Sequence, residues 1–240
     1  DLNRLKLIGL TNNVSLFPHG ILDFLPKKIS LYDQFNRQFN FNNTFKIASY
    51  GFCLPNKGFD QLIRAVYILK RNNVKIRLDI FSAIYSQNYY SVYEDLVKLI
   101  NDLELANFIT INKTYMKDTE SLEILSKYDC LVFPYQESNE SSSASVRHGI
   151  ATGRPILVTP SPIFNDVLDL VTTFDGFTAD DIALGIESWI SNFKSNYMIE
   201  QDLRIKLVES RLFSKVSKRL FNMLKSLDIN SSIDYLFHSE

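Results

Sequence analysis

Between residues 46 and 190, short β-like runs alternate with helix-like stretches, and this alternation constrains the fold more than any other feature. Lys46–Tyr50, Ile76–Phe81, Phe108–Ile111, Cys130–Phe133, Ile156–Thr159 and Val171–Phe174 are rich in Ile, Val, Leu and Phe. Between them, apolar residues recur at spacings of three and four. Phe59, Leu62, Ile63, Val66 and Leu69 share one helical face, and Tyr93, Leu96, Val97, Ile100 and Leu103 share another. Thr178-Ala-Asp-Asp181 reads as a capping box opening a helix that carries Ile182, Ile186 and Trp189. Strands alternating with helices of this length build βαβ units, so the pattern predicts a doubly wound α/β domain with a parallel sheet covered on both faces.

The flanks break the alternation. Within residues 1–22, Asp1–Leu10 reads as a helix tail, Asn13–Phe17 as a strand and Pro18-His19-Gly20 as a turn. Residues 23–45 are rich in Asn, Phe and Lys and suit a linker or a wrapped arm. Residues 191–228 read as helical, with Phe213, Val216, Leu220 and Leu224 on one face, and 229–240 as a frayed tail. The chain starts at Asp1, without Met, inside a helix-like phrase, and is expected to be a piece of a longer protein.

At 240 residues the chain can bury a core without metal or disulfide staples. A net charge of −1 argues against holding nucleic acid by overall charge. No apolar run approaches the roughly 20 residues of a membrane helix. Two cysteines, Cys53 and Cys130, make no disulfide framework and are expected as free thiols in a reducing cytoplasm.

Ligands of open parallel sheets bind in the loops at the strands' carboxyl ends, and three such loops carry candidate chemistry. In Gly51-Phe-Cys-Leu-Pro-Asn-Lys57-Gly58, glycines permit close backbone approach, and Lys57 places a cation beside a helix N-terminus, a suitable site for a diphosphate. The spacing is not that of a P-loop, and no G-x-G-x-x-G occurs. The second loop runs from Phe133 through Glu140 and Ser142-Ser143 to Arg147-His148-Gly149. Its serines can cap a helix starting near Ser142 and offer hydroxyl and N–H groups to an anion. Seven residues separate Glu140 from His148, which lets both groups face one crevice. Equally, serine, glutamate, arginine and histidine here could serve only as cap, dipole partner and solvated face. The third loop, Lys113-Thr-Tyr115-Met116-Lys117, offers an aromatic and a thioether that can sandwich a base or cover the sheet's rim. No metal cluster and no Asp-x-Asp at a strand end is visible, so no metal or other cofactor is expected.

Together these motifs resemble the C-terminal, donor-binding domain of GT-B glycosyltransferases, specifically the retaining family 4. Gly51, Lys57 and Gly58 match that family's first motif, and Pro134, Glu140, Ala151, Gly153 and Pro155 match its second. Leu125–Pro134 is similar to the family's run into the second loop, and Asn13–Ile21 to the end of its N-terminal, acceptor-binding domain.

The resemblance implies a Rossmann-like domain over 46–190 and an absent acceptor domain whose last residues are 1–22. It further implies transfer of a sugar from a UDP-, GDP- or dTDP-linked donor to a polysaccharide or lipopolysaccharide acceptor, as in bacterial surface polysaccharide synthesis. Lys57, Ser142, Ser143 and Arg147 would stabilise the departing diphosphate, Glu140 would orient the sugar, and Tyr115 and Met116 would contact the base. Two departures stand out. Phe52 replaces the arginine that helps hold the diphosphate, and His148 replaces the second glutamate, which usually binds ribose. Arg147 is expected to supply the cation that Phe52 does not. The resemblance also implies a cytoplasmic enzyme, at most peripheral to the inner membrane. The Phe213–Leu224 face is expected to lean toward the absent domain or a second copy of the chain. A nucleotide-sugar 2-epimerase on the same fold and a degenerate, non-catalytic nucleotide-binding domain remain open alternatives.

Overall fold

The computed structural model describes residues 2–11, 14, 17–24, 44–137, 140, 142–199 and 201–226. Most of the expected Asn13–Phe17 strand, nearly all of the 23–45 linker and the 229–240 tail lie outside them.

Six strands form one parallel sheet: β1 (Phe45–Phe52), β2 (Ile76–Ala83), β3 (Ile109–Asn112), β4 (Cys130–Phe133), β5 (Ile156–Val158) and β6 (Thr172–Thr173). Their order is β3-β2-β1-β4-β5-β6 and every neighbouring pair is parallel. This is the doubly wound α/β architecture that the alternation predicts. The helices are α1 (Leu2–Leu7), α2 (Phe59–Arg71), α3 (Tyr90–Asp102), α4 (Asp118–Leu125), α5 (Ala144–Ala151), α6 (Ala179–Ile199), α7 (Gln201–Arg211) and α8 (Phe213–Ser226).

Strand residues alternate between two cores because successive side chains leave opposite faces of a sheet. Along β4, Cys130 and Val132 enter the layer built on Phe59, Leu62, Ile63, Leu96 and Ile186 of α2, α3 and α6. Leu131 and Phe133 enter the other, with Leu122, Val146, Ile150, Ile205 and Val208 of α4, α5 and α7. Burial on both faces explains why β4 reads as an unbroken apolar run. The capping box forms as expected: Thr178 N–H donates to Asp181 Oδ2 at 3.0 Å and Asp181 N–H to Thr178 Oγ1 at 3.2 Å. Both cysteines are buried and unpaired. Among the described residues, no helix is long and apolar enough to cross a membrane.

The N-terminal segment is tied to the last helices. Ile21 N–H donates to the Arg211 carbonyl and Phe213 N–H to the Ile21 carbonyl, both at 2.8 Å. Asp23 Oδ2 accepts from Ser214 N–H at 2.9 Å, at the start of α8. A Cβ on Gly20 would lie 2.5 Å from the Phe213 ring, so the glycine lets the segment pass against that ring. Phe213 thus packs partly against the chain's own N-terminal segment, while Leu220, Phe221 and Leu224 stay exposed.

Candidate functional site

β1 is followed by a crossover to one side of the sheet and β4 by a crossover to the other, so the loops at their carboxyl ends diverge and leave a crevice. A cavity of about 210 Å³ opens there. Tyr50, Gly51 and Phe52 line it from the end of β1, and Phe81 and Ala83 from β2. Thr114, Tyr115, Met116 and Asp118 close it from the approach to α4, and Ala144, Ser145 and His148 from α5. A second depression of about 290 Å³ adjoins, holding Lys57, Tyr89, Tyr135 and Glu140. The two meet at Gly51, where a Cβ would sit 3.2 Å from Ser145 Oγ and 3.6 Å from the Tyr135 hydroxyl.

The Lys57 loop is built by backbone constraint. Pro55–Lys57 make a 3₁₀ turn, and Gly58 follows at φ 68° as the N-cap of α2. A Cβ on Gly58 would fall 1.8 Å from the Pro134 carbonyl oxygen, so only glycine lets the loops after β1 and β4 touch. Gln136 N–H donates to the Asn56 carbonyl at 3.0 Å and fixes that contact. Lys57 Nζ then lies 4.0 Å above the centre of the Tyr135 ring and 3.7 Å from Glu140 Oε2. The Lys57 side chain is only 12% exposed, against 57% for Glu140.

Ser143 is the N-cap of α5. Its hydroxyl oxygen accepts from Val146 N–H at 3.2 Å, and its proton points to the Tyr135 hydroxyl at 3.4 Å. Ser142 precedes it, half-buried. One turn further, His148 is buried, stacked on Tyr50 with ring centres 4.7 Å apart and an interplanar angle of 23°. Its Nε2 lies 2.8 Å from Ser121 Oγ on α4. Burial pushes the imidazole below its ordinary pKa, against an opposing pull from Asp118. Burial likewise pushes the Tyr50 phenol upward. A neutral ring sandwiched this way can donate or accept a hydrogen bond but carries no charge.

A family model for glycosyl transferases group 1 matches residues 33–204. The chain belongs to that family. No curated protein sequence matches it. Its fold is that of solved GT-B glycosyltransferases. A glycosyltransferase from Rickettsia africae superposes with a TM-score of 0.72 at 15% identity, over 96% of this chain and 62% of that one. Sucrose-phosphate synthase from Thermosynechococcus elongatus gives 0.70 at 12%, over 94% and 56%. HepE of Anabaena, solved in complex with UDP and glucose, gives 0.66 at 12%, over 77% and 49%. The chain therefore spans about half to three fifths of the length of these relatives.

In this group 1 family member, Gly51, Tyr115, Met116 and His148 line the cavity, while Lys57 and Glu140 meet in the adjoining depression. Ser142 and Ser143 stand at the α5 terminus. Arg147 goes elsewhere, which corrects the expectation that it replaces the missing arginine. Its Nη1 donates to the Ser143 carbonyl at 2.6 Å, and its Nη2 is paired with Asp166. Consecutive helical residues leave the axis about 100° apart, so His148 facing the cavity turns Arg147 toward Asp166. Tyr50, Asp118, Ser121, Tyr135 and Ser145 complete the site, and the sequence alone does not single them out as site residues. Tyr50 adjoins Gly51 and Ser145 lies between Ser143 and Arg147, whereas the Ser121–His148 contact joins positions on separate helices. Among the described residues, no three His, Cys, Asp or Glu side chains gather as a metal-binding group.

Proposed function

We propose that this chain is the donor-binding half of a retaining glycosyltransferase that takes a nucleotide-sugar. The observation that carries this reading is the paired arrangement at the crevice. An aromatic and thioether-lined cavity fits a nucleoside, and beside it lie a fixed cation and a helix N-terminus fit for a diphosphate.

When a glycosyl bond to a nucleoside diphosphate breaks, negative charge builds on the leaving phosphate. Lys57 and the N–H groups following Ser143 supply fixed positive potential there, without having to reorganise during the reaction. Glu140, exposed at the mouth, orients hydroxyls of the transferred sugar, and Tyr115 and Met116 flank the base. No metal has a role in this scheme. The acceptor, a growing polysaccharide or lipopolysaccharide, is held across the cleft by polypeptide outside these 240 residues. The partial coverage of the solved relatives supports that division.

A second reading, a nucleotide-binding domain without catalytic competence, draws on the engagement of Arg147 by Asp166 and on Phe52 at the cavity wall. Calorimetric titration with UDP, GDP and dTDP tests the main proposal. Micromolar binding of at least one is expected, and silence for all three removes the donor-site reading. Binding combined with failure to transfer, once an acceptor-binding half is supplied, favours the second.

A further inference from the structure

We propose that Asp118 holds the sugar hydroxyls of the bound nucleoside, with His148 as a secondary partner. This rests on the donor-site reading above and adds a residue to it. Phe52, Phe81, Tyr115 and Met116 give the cavity flat or soft apolar surfaces, suited to a planar heterocycle. The remainder of a ribonucleoside is a ring bearing two adjacent hydroxyls. Each needs an acceptor, and a carboxylate, which is acceptor-only with two oxygens, can take both.

Among the described residues lining the cavity, Asp118 is the carboxylate. It sits in the first turn of α4, exposed at the rim of the cavity that Tyr50 and His148 also line. His148 cannot do the work alone, because its Nε2 already meets Ser121 Oγ and only one ring nitrogen remains. Ser121 in turn ties that imidazole to the same helix turn that presents Asp118, since its hydroxyl also lies 3.0 Å from the Asp118 carbonyl. The turn that carries Asp118 and the His148 ring are therefore linked through Ser121.

A different role for Asp118 is to complement the dipole of α4. The two roles separate in one experiment. Wild-type chain and Asp118→Asn are titrated calorimetrically with UDP, 2′-deoxy-UDP, GDP and 2′-deoxy-GDP, and both proteins are melted as a control. If Asp118 reads the hydroxyls, wild type prefers the ribose form of whichever nucleotide binds by about tenfold or more, the worth of one charge-assisted hydrogen bond. Asp118→Asn then weakens the ribose form by a similar factor and brings the ribose-to-deoxyribose ratio near one. An equal ratio in both proteins, or no preference in wild type, overturns the assignment while leaving the donor site in place. A lowered melting temperature with an unchanged ratio assigns Asp118 to the helix dipole and also overturns it. No binding of any of the four nucleotides overturns this inference, and silence for dTDP as well refutes the donor-site reading with it.

Discussion

Lys57→Ala isolates the diphosphate half of the site. The ammonium is held between a ring 4.0 Å below it and a carboxylate 3.7 Å away, with little of the side chain exposed. In the free protein these contacts contribute modestly. The cation–ring contact is worth about 0.5–1 kcal/mol, and a pair with a half-exposed glutamate at most about 1 kcal/mol. The substitution is therefore expected to leave the fold intact. Toward a diphosphate the same ammonium makes a charge-assisted contact worth about 1.5–3 kcal/mol, which converts to a loss of about 10- to 150-fold in affinity. The nucleoside cavity, lined by other residues, keeps its walls. Titration of wild type and variant with UDP and with uridine, or with GDP and guanosine, measures both halves. The diphosphate is expected to lose at least tenfold and the nucleoside less than about twofold. Equal losses for both ligands would refute the reasoning, because they would trace the effect to the shape of the site rather than to the phosphate charge.

Three further outcomes follow from the same geometry. Glu140→Gln is expected to leave UDP affinity unchanged or tighten it by up to about fivefold, since a weak competitor for Lys57 is removed; a tenfold loss would put Glu140 among the nucleotide contacts instead. Arg147→Ala is expected to cost about 1–3 kcal/mol in denaturant unfolding, because a buried guanidinium loses its contacts, yet to leave UDP affinity untouched; parallel loss of binding would return Arg147 to the phosphate site. The folded-state pKa of His148 lies below its unfolded value, so the folded protein binds fewer protons between the two. Its contribution to stability is fully present above the unfolded value of about 6.5 and is lost as pH falls from there through the folded pKa. Wild type should therefore lose melting temperature faster than His148→Gln on going from pH 7.5 to pH 5, and parallel curves would contradict this.

The strands were legible because each is a short apolar run between turn-forming residues, and β4 matches its expected limits residue for residue. Of the expected Val171–Phe174 strand, Thr172 and Thr173 pair with β5, and Phe174 N–H adds one bond to the Val158 carbonyl at 2.8 Å. Gly58 was legible as a turn glycine, but its physical reason, the Pro134 carbonyl, belongs to a loop more than seventy residues away. Asp118 was not legible as a site residue, because an acidic residue in a helix's first turn is what the dipole favours anywhere. For Arg147, local sequence gives a helix and a charge but not the direction of the guanidinium, which Asp166 decides nineteen residues later. Contacts made within one turn or strand can be read from spacing, whereas contacts between crossovers depend on which strand ends the sheet order brings together.

Helix α5 shows how such distant contacts set the site. It has eight residues, too few to hold its place by propensity alone. It also buries two polar side chains, Arg147 and His148, beside Val146, Ile150 and Ala151. A buried polar group without a partner costs about 1–3 kcal/mol, so each side chain confines the helix to positions where its partner is met. Asp166 receives Arg147 on one side, and the Asp166 carbonyl is itself held by Arg211 of α7. Ser121 receives His148 on the other, with Tyr50 stacked against the ring. The two contacts leave the helix in different directions, so a shift or rotation that eases one strains the other. The apolar contacts alone would tolerate a small slide of α5, whereas the two polar partners do not. The N-terminus of α5 at Ser143 and the cavity wall at Ser145 and His148 are therefore positioned by hydrogen bonds that reach α4 on one flank and the C-terminal helices on the other.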